Sequence, residues 1–170
     1  MSYRNKTYVI FDGDTDMHYY TLMKAWKENE NIDFNFYNAH DINTSRDSSD
    51  EESIKSQLRE RMANSKQVIV LVGENTKNLR KFVPWEIELA RKQDLPILLV
   101  NLNKKRGYDS DRCPATVKDE VYTMSVSFGP KIVQYALDNF PDDYNGTRDR
   151  KTKGHTWRYK DSVYDSLENE

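Results

Sequence analysis

The chain has 170 residues and nearly balanced charge, 26 Lys+Arg against 28 Asp+Glu, for a formal net charge of −2. With 36% apolar residues and 12% aromatics it carries enough to build a buried core, which excludes a disordered chain. No run approaches the roughly 20 apolar residues that span a bilayer, so a transmembrane protein is excluded too.

The opening MSYRNKTYV lacks the apolar run of a secretory leader, and the single cysteine, Cys113, cannot close an internal disulfide. A reducing, cytoplasmic setting is therefore expected. The balanced charge removes any global argument for nucleic-acid binding.

Tyr8-Val9-Ile10-Phe11 reads as a buried strand that feeds the acidic loop Asp12-Gly13-Asp14-Thr15-Asp16. Tyr19, Leu22, Met23 and Trp26 then recur at i, i+3, i+4 and i+7, the spacing of an amphipathic helix, with Asp16 placed to cap it. Phe34-Asn35-Phe36-Tyr37 is a weaker strand leading into a polar loop over residues 38–50. Ile54, Leu58 and Met62 mark a second helix over residues 51–64, and Gln67 to Val72 is the clearest central strand. Residues 82–93 carry a third helix, whose apolar side comes from Phe82, Val83, Trp85, Leu89 and Ala90. Pro84 suits its first turn. Strands are expected at residues 96–102 and 121–126, and Val133, Ala136, Leu137 and Phe140 repeat the helix spacing.

Alternating strands and helices, with unbroken apolar strands, predict a parallel sheet covered on both faces. The expected fold is α/β, a three-layer flavodoxin-like sandwich with about five parallel strands. Ligands in such folds sit outside the carboxyl ends of the strands, here just after Phe11, Tyr37, Val72 and Leu102. From Pro141 the composition changes: residues 141–170 hold 13 charged residues, and residues 148–160 hold six bases and one acid. The expected division is a domain over residues 1–140 and a charged, aromatic extension over 141–170. The extension reads either as a solvated tail or as a basic arm on phosphates. Trp157, Tyr159, Val163, Tyr164 and Leu167 suggest that its end packs on the domain or on a partner.

The acidic loop invites three readings that its spacing argues against. A calcium loop wants glycine at its sixth position and glutamate at its twelfth, where this chain has Met17 and Met23. A haloacid-dehalogenase-type phosphatase wants Asp-x-Asp-x-Thr, but Asp16 stands where the threonine belongs. A phosphoacceptor receiver wants an aspartate ending the third strand, which instead ends Val72-Gly73-Glu74.

Glu86 is more informative. It lies four residues after Phe82 and beside Trp85, Leu89 and Ala90, a carboxylate on an otherwise apolar helix side. Such a group is costly unless satisfied. From periodicity alone it reads equally as a capping-type glutamate bonded to backbone amides.

The run GENTKNLRKFVPWEIELARKQDLPILLV from Gly73 resembles the central segment of Toll/interleukin-1-receptor (TIR) domains. It is most similar to the bacterial TIR-like branch that includes the Thoeris anti-phage TIR proteins. The pieces that carry the resemblance are the apolar strand before Gly73, Asn75-Thr76, and the aromatic Phe82 with Glu86 four residues on. A helix leading to a Pro-Ile-Leu-Leu-Val strand completes it, and Phe11-Asp12 and residues 53–62 fit the same plan over residues 5–140.

The resemblance implies an enzyme that cleaves the nicotinamide–ribose bond of NAD and makes linear, cyclic or conjugated ADP-ribose, a diffusible nucleotide that would reach an effector. It also implies TIR–TIR contacts that assemble a homo-oligomer and a phage-derived trigger. The family's essential glutamate maps onto Glu86. The usual Trp four residues earlier is Phe82 here, with the Trp at Trp85, a departure that bears on packing around the ribose.

Phe11, Asp12, Asp14, Tyr37, His40, Thr76, Phe82 and Trp85 are the expected substrate-binding residues. Phe11, Trp85 and Tyr37 are aromatics able to sandwich a nicotinamide or adenine ring. NAD would be a substrate and not a cofactor: no G-x-G-x-x-G occurs, and His18, His40 and His155 lack metal-ligand spacing. His40 reads otherwise as an exposed loop histidine, and Cys113 as inert. The alternative function is a non-catalytic TIR-like protein–protein interaction module.

Overall fold

The computed structural model describes residues 6–29, 35–37, 51–79, 82–117, 122–150 and 154–168. Six strands, β1 (Lys6–Ile10), β2 (Asn35–Tyr37), β3 (Gln67–Val72), β4 (Ile97–Asn101), β5 (Tyr122–Ser127) and β6 (His155–Arg158), form one sheet in the order β2-β1-β3-β4-β5-β6. Every neighbouring pair is parallel. The helices are α1 (Met17–Asn29), α2 (Glu51–Ala63), α3 (Phe82–Lys92), α4 (Pro130–Gly146) and α5 (Asp161–Glu168). The fold is the expected flavodoxin-like α/β sandwich.

The pleat sorts each strand between two apolar layers. Tyr8, Ile10, Val68, Val70, Val72, Ile97 and Leu99 face one layer, where Ile54, Leu58 and Met62 of α2 and Phe82, Val83, Ile87 and Ala90 of α3 cover them. Val9, Phe11, Ile69, Leu71, Leu98 and Val100 face the other, covered by Tyr20 and Met23 of α1, by α4 and by Tyr164 of α5. All six residues of β3 and all five of β4 are buried, which is why these strands read as continuous apolar runs.

The described residues after Phe140 pack on the domain, one of the two placements expected for the end of the extension. The boundary expected at residue 140 falls inside α4, which continues through Pro141 and buries it together with Tyr144. Beyond it, β6 adds a sixth strand, with Thr123 opposite Thr156 and Met124 opposite Trp157. The Oγ1 atoms of Thr123 and Thr156 lie 2.9 Å apart. Four residues, three of them exposed, give β6 no apolar run by which to be recognised. Helix α5 then buries Tyr164, whose hydroxyl accepts the Ser127 N–H at 3.2 Å. Two bases of the basic stretch are paired: Arg150 with Asp94 at 2.6 Å and Arg158 with Asp161 at 2.6 Å. Asp94 comes just after the end of α3 with φ 56°, and its carboxylate also accepts the Tyr144 hydroxyl at 2.7 Å.

Because Tyr164 fills a core position, Tyr164→Ala is expected to lower the stability measured by urea unfolding by about 2–4 kcal/mol. An unchanged midpoint would mean that α5 is not part of the folded body.

Candidate active site

The chain runs from β1 outward to β2 and then returns to β3 on the other side of β1. The carboxyl ends of β1 and β3 therefore flank a topological switch point, the place where open α/β sheets take ligands. Two loops meet there, one after β1 and one after β3.

The first loop is built on Asp12, which is buried. Its Oδ1 accepts the Asp14 N–H at 3.0 Å, its Oδ2 accepts the Thr15 hydroxyl at 2.6 Å, and its carbonyl accepts the Asp16 N–H at 2.9 Å. This is an Asx-type turn that launches α1, with Asp14 left exposed. The second loop is closed by Thr76, fully buried, whose hydroxyl accepts the Gly73 N–H at 2.8 Å and donates to the Leu71 carbonyl at 3.3 Å. The side chains of Asp12 and Thr76 thus shape the two lips of the crevice by bonding to neighbouring residues of their own loops.

Asp16 lies between the lips. It is buried, its Oδ2 has no hydrogen-bond partner among the described residues, and its carboxylate packs against the face of Gly73, where a Cβ would overlap it. Burial, and then the nearby Asp12, push its pKa above the ordinary carboxylate value.

Glu86 sits on α3, on the α2–α3 side of the sheet, and is only 4% exposed. The Tyr8 hydroxyl of β1 donates to its Oε2 at 2.5 Å, the length of a hydroxyl bonded to a carboxylate. Phe82, one turn earlier, is buried in the same layer, and Trp85 packs against that layer's edge. Lys55 and Arg59 of α2 stand over the Trp85 ring, 5.4 and 5.7 Å from its centroid. Tyr8 and Glu86 therefore meet on this side of the sheet, with Phe82 in the same layer and Trp85 packed against it.

Phe11 is not among them. The pleat turns it to the opposite layer, where it stacks on Tyr20 at 4.8 Å, so it does not meet Trp85. Tyr37 holds the register position beside Tyr8 on β2. His40 lies outside the described residues. His18 and His155 pack on Tyr19 and Trp157. The Cys113 thiol is buried, and burial, with the charge of Asp109 as the lesser cause, pushes its pKa up to about 12, so it remains a thiol at neutral pH.

A family model described as Thoeris protein ThsB, TIR-like domain, matches residues 8–107, more than half of the chain. The chain belongs to that family. The matched stretch contains both lips of the crevice and all of α3, so the elements that position Glu86 are those of a TIR-like domain.

Sequence reasoning placed Glu86 on the helix but missed the Tyr8 hydroxyl that bonds it and the contact of Asp16 with Gly73 between the two loops. Tyr8 looked like one more apolar residue of a buried strand, and only the pleat shows which face its hydroxyl meets. Asp16 looked like a helix cap, and Gly73 like the end of a strand. Their contact spans 57 positions of sequence and left no local signal.

This contact generates two expected outcomes. Gly73→Ala is expected to destabilise the domain by about 1–3 kcal/mol in urea unfolding, and adding Asp16→Ala should recover part of the loss. The folded state also holds the Asp16 proton above 3.8, the pKa ordinary for an aspartate. It therefore binds more protons than the unfolded state in the window above that value, and stability from this group falls as pH rises through it. Asp16→Asn should consequently gain stability over wild type between about pH 3 and pH 7. A constant difference across that range would contradict the assignment.

Proposed function

We propose that this TIR-like domain is an NAD-consuming enzyme that cleaves the nicotinamide–ribose bond and makes an ADP-ribose-derived messenger, cyclic or conjugated, in anti-phage defence. The observation that carries the reading is a carboxylate, Glu86, held by the Tyr8 hydroxyl on an apolar helix face within the stretch matched to the Thoeris TIR-like family.

The chemistry asks little else of the protein. Nicotinamide departs neutral as the ribose C1′–N bond breaks, and C1′ becomes oxocarbenium-like. A fixed carboxylate stabilises that positive charge, and it does so more strongly in a water-poor site. Water, or a hydroxyl or ring nitrogen, then bonds to C1′ and releases a proton. Tyr8 acts as a positioning residue, since its O–H fixes the direction of the carboxylate. Phe82 and Trp85 line the same side and offer aromatic surface to a planar ring. NAD is the substrate in this reading, with no metal and no further cofactor in the step. The working form would be a homo-oligomer assembled in the cytoplasm by a phage-derived trigger.

A second reading, a non-catalytic interaction module, is favoured by one observation: Glu86 is 4% exposed, as a purely structural glutamate would be. One experiment separates the two. Purified protein is incubated with NAD, with and without extract of phage-infected cells, and products are resolved by chromatography and mass spectrometry. Turnover by wild type, reduced at least about 100-fold by Glu86→Gln and about tenfold by Tyr8→Phe, is the expected result. NAD left intact by wild type even with extract would sink the enzyme reading and leave the module.

A further inference from the structure

A second cleft lies on the opposite side of the sheet from Glu86. It occupies about 480 Å³ at the carboxyl ends of β4 and β5, within the range of small-molecule sites. Three segments wall it. The chain after β4 supplies Lys104 and Arg106, the turn from β5 into α4 supplies Phe128 and Lys131, and α5 supplies Tyr164 and Glu168.

We propose that this cleft binds a phosphate-bearing ligand of nucleotide size. Its walls carry three bases and one acid, in a chain whose overall formal charge is −2. The positive charge is therefore local to the cleft. Arg106 and Lys131 are held by side-chain contacts and Lys104 by its backbone. Lys104 takes a left-handed backbone with φ 66°, a conformation that costs a non-glycine residue about 1 kcal/mol. The loop that holds it there is tied down by buried Asn101, whose amide donates to the carbonyls of Lys105 and Gly107, both at 2.8 Å. Arg106 lies over the Tyr164 ring, 4.1 Å from its centroid. Its partner Asp161, at 3.0 Å, is largely exposed and shared with Arg158, so the pairing is screened by solvent. The Lys131 ammonium reaches the Leu167 carbonyl at 3.2 Å and so spans the rim between α4 and α5.

Fixed cations of this kind are pre-organised for an anion and lose little freedom on binding it. The first turn of α4 opens on the same space behind Gly129, which has no side chain to cap it, and adds its positive end to theirs. Phe128 and Ile132 supply an apolar wall beside the charges. An anion with an aromatic or sugar body fits this mixture better than a bare ion. The assignment is independent of Glu86, because the cleft's Ile132 and Tyr164 belong to the layer of α1, α4 and α5, whereas Glu86 lies on the α2–α3 side.

Equilibrium binding by calorimetry tests it, with ADP, pyrophosphate and adenosine as probes. Wild type and Glu86→Gln are expected to bind ADP equally, adenosine at least about tenfold more weakly. The pair Lys104→Glu with Lys131→Glu should weaken ADP at least about tenfold while leaving the circular dichroism spectrum and urea midpoint near wild type. A single Lys104→Ala variant, at an exposed side chain, gives a smaller loss in the same direction and serves if the pair fails to fold. Unchanged ADP affinity in the lysine variants, or no ADP binding by wild type at about 1 mM, overturns the proposal. Pyrophosphate binding as tightly as ADP overturns its nucleotide size. Failure of NAD cleavage leaves every arm intact, since none of the probes contains a nicotinamide–ribose bond.

Discussion

The pleat of three inner strands is the constraint on which the rest of the structure depends. Successive residues of β1, β3 and β4 point to opposite faces, and almost all are apolar, so both faces must be covered. That requirement places α2 and α3 on one side and α1, α4 and α5 on the other. It also decides which side chains meet. Tyr8 shares a face with Glu86 and meets it, whereas Phe11, three positions later, belongs to the other side and stacks on Tyr20. A one-residue shift of β1 would exchange these two aromatics.

Much of this was legible in the chain because periodicity is a local signal. Ile54, Leu58 and Met62 are buried as their spacing predicts, and the apolar runs of β3 and β4 announce strands covered on both faces. What local pattern could not reveal was pairing at a distance. The strand β6 is exposed along most of its length and is recognisable only through β5 beside it. Helix α4 passes through Pro141, which looked like a boundary. A proline there forgoes one N–H bond to Leu137, and the burial of Phe140, Pro141 and Tyr144 outweighs that loss. The acidic loop was the hardest to read: its three aspartates have three roles, as turn former, exposed residue and buried carboxyl against Gly73, and only the fold distinguishes them.

Two of the buried carboxyls, Glu86 and Asp16, are held in different ways. Glu86 receives a hydroxyl from the neighbouring strand, a partner that fixes its direction. Asp16 keeps an oxygen without a partner among the described residues, and its burial favours the neutral acid. The molecule thus keeps one carboxyl oriented by a bond and another that carries the strain of desolvation. Both depend on glycine or tyrosine in a strand or at its end, where the backbone is least able to move.

The stretch matched to the family ends at residue 107, before β5, α4, β6 and α5. Those later elements supply Met124, Val126, Ile132, Val133, Ala136, Leu137, Phe140 and Tyr164, most of the cover on one face of the sheet. Without β5 and α4, β4 would be an open edge and Leu98 and Val100 would lose part of their cover. Arg150 and Tyr144 both bond Asp94, just past the end of the helix that bears Glu86, and so tie the later part of the chain to that helix. The stretch that holds the carboxylate thus draws much of its cover from residues that follow it in the chain.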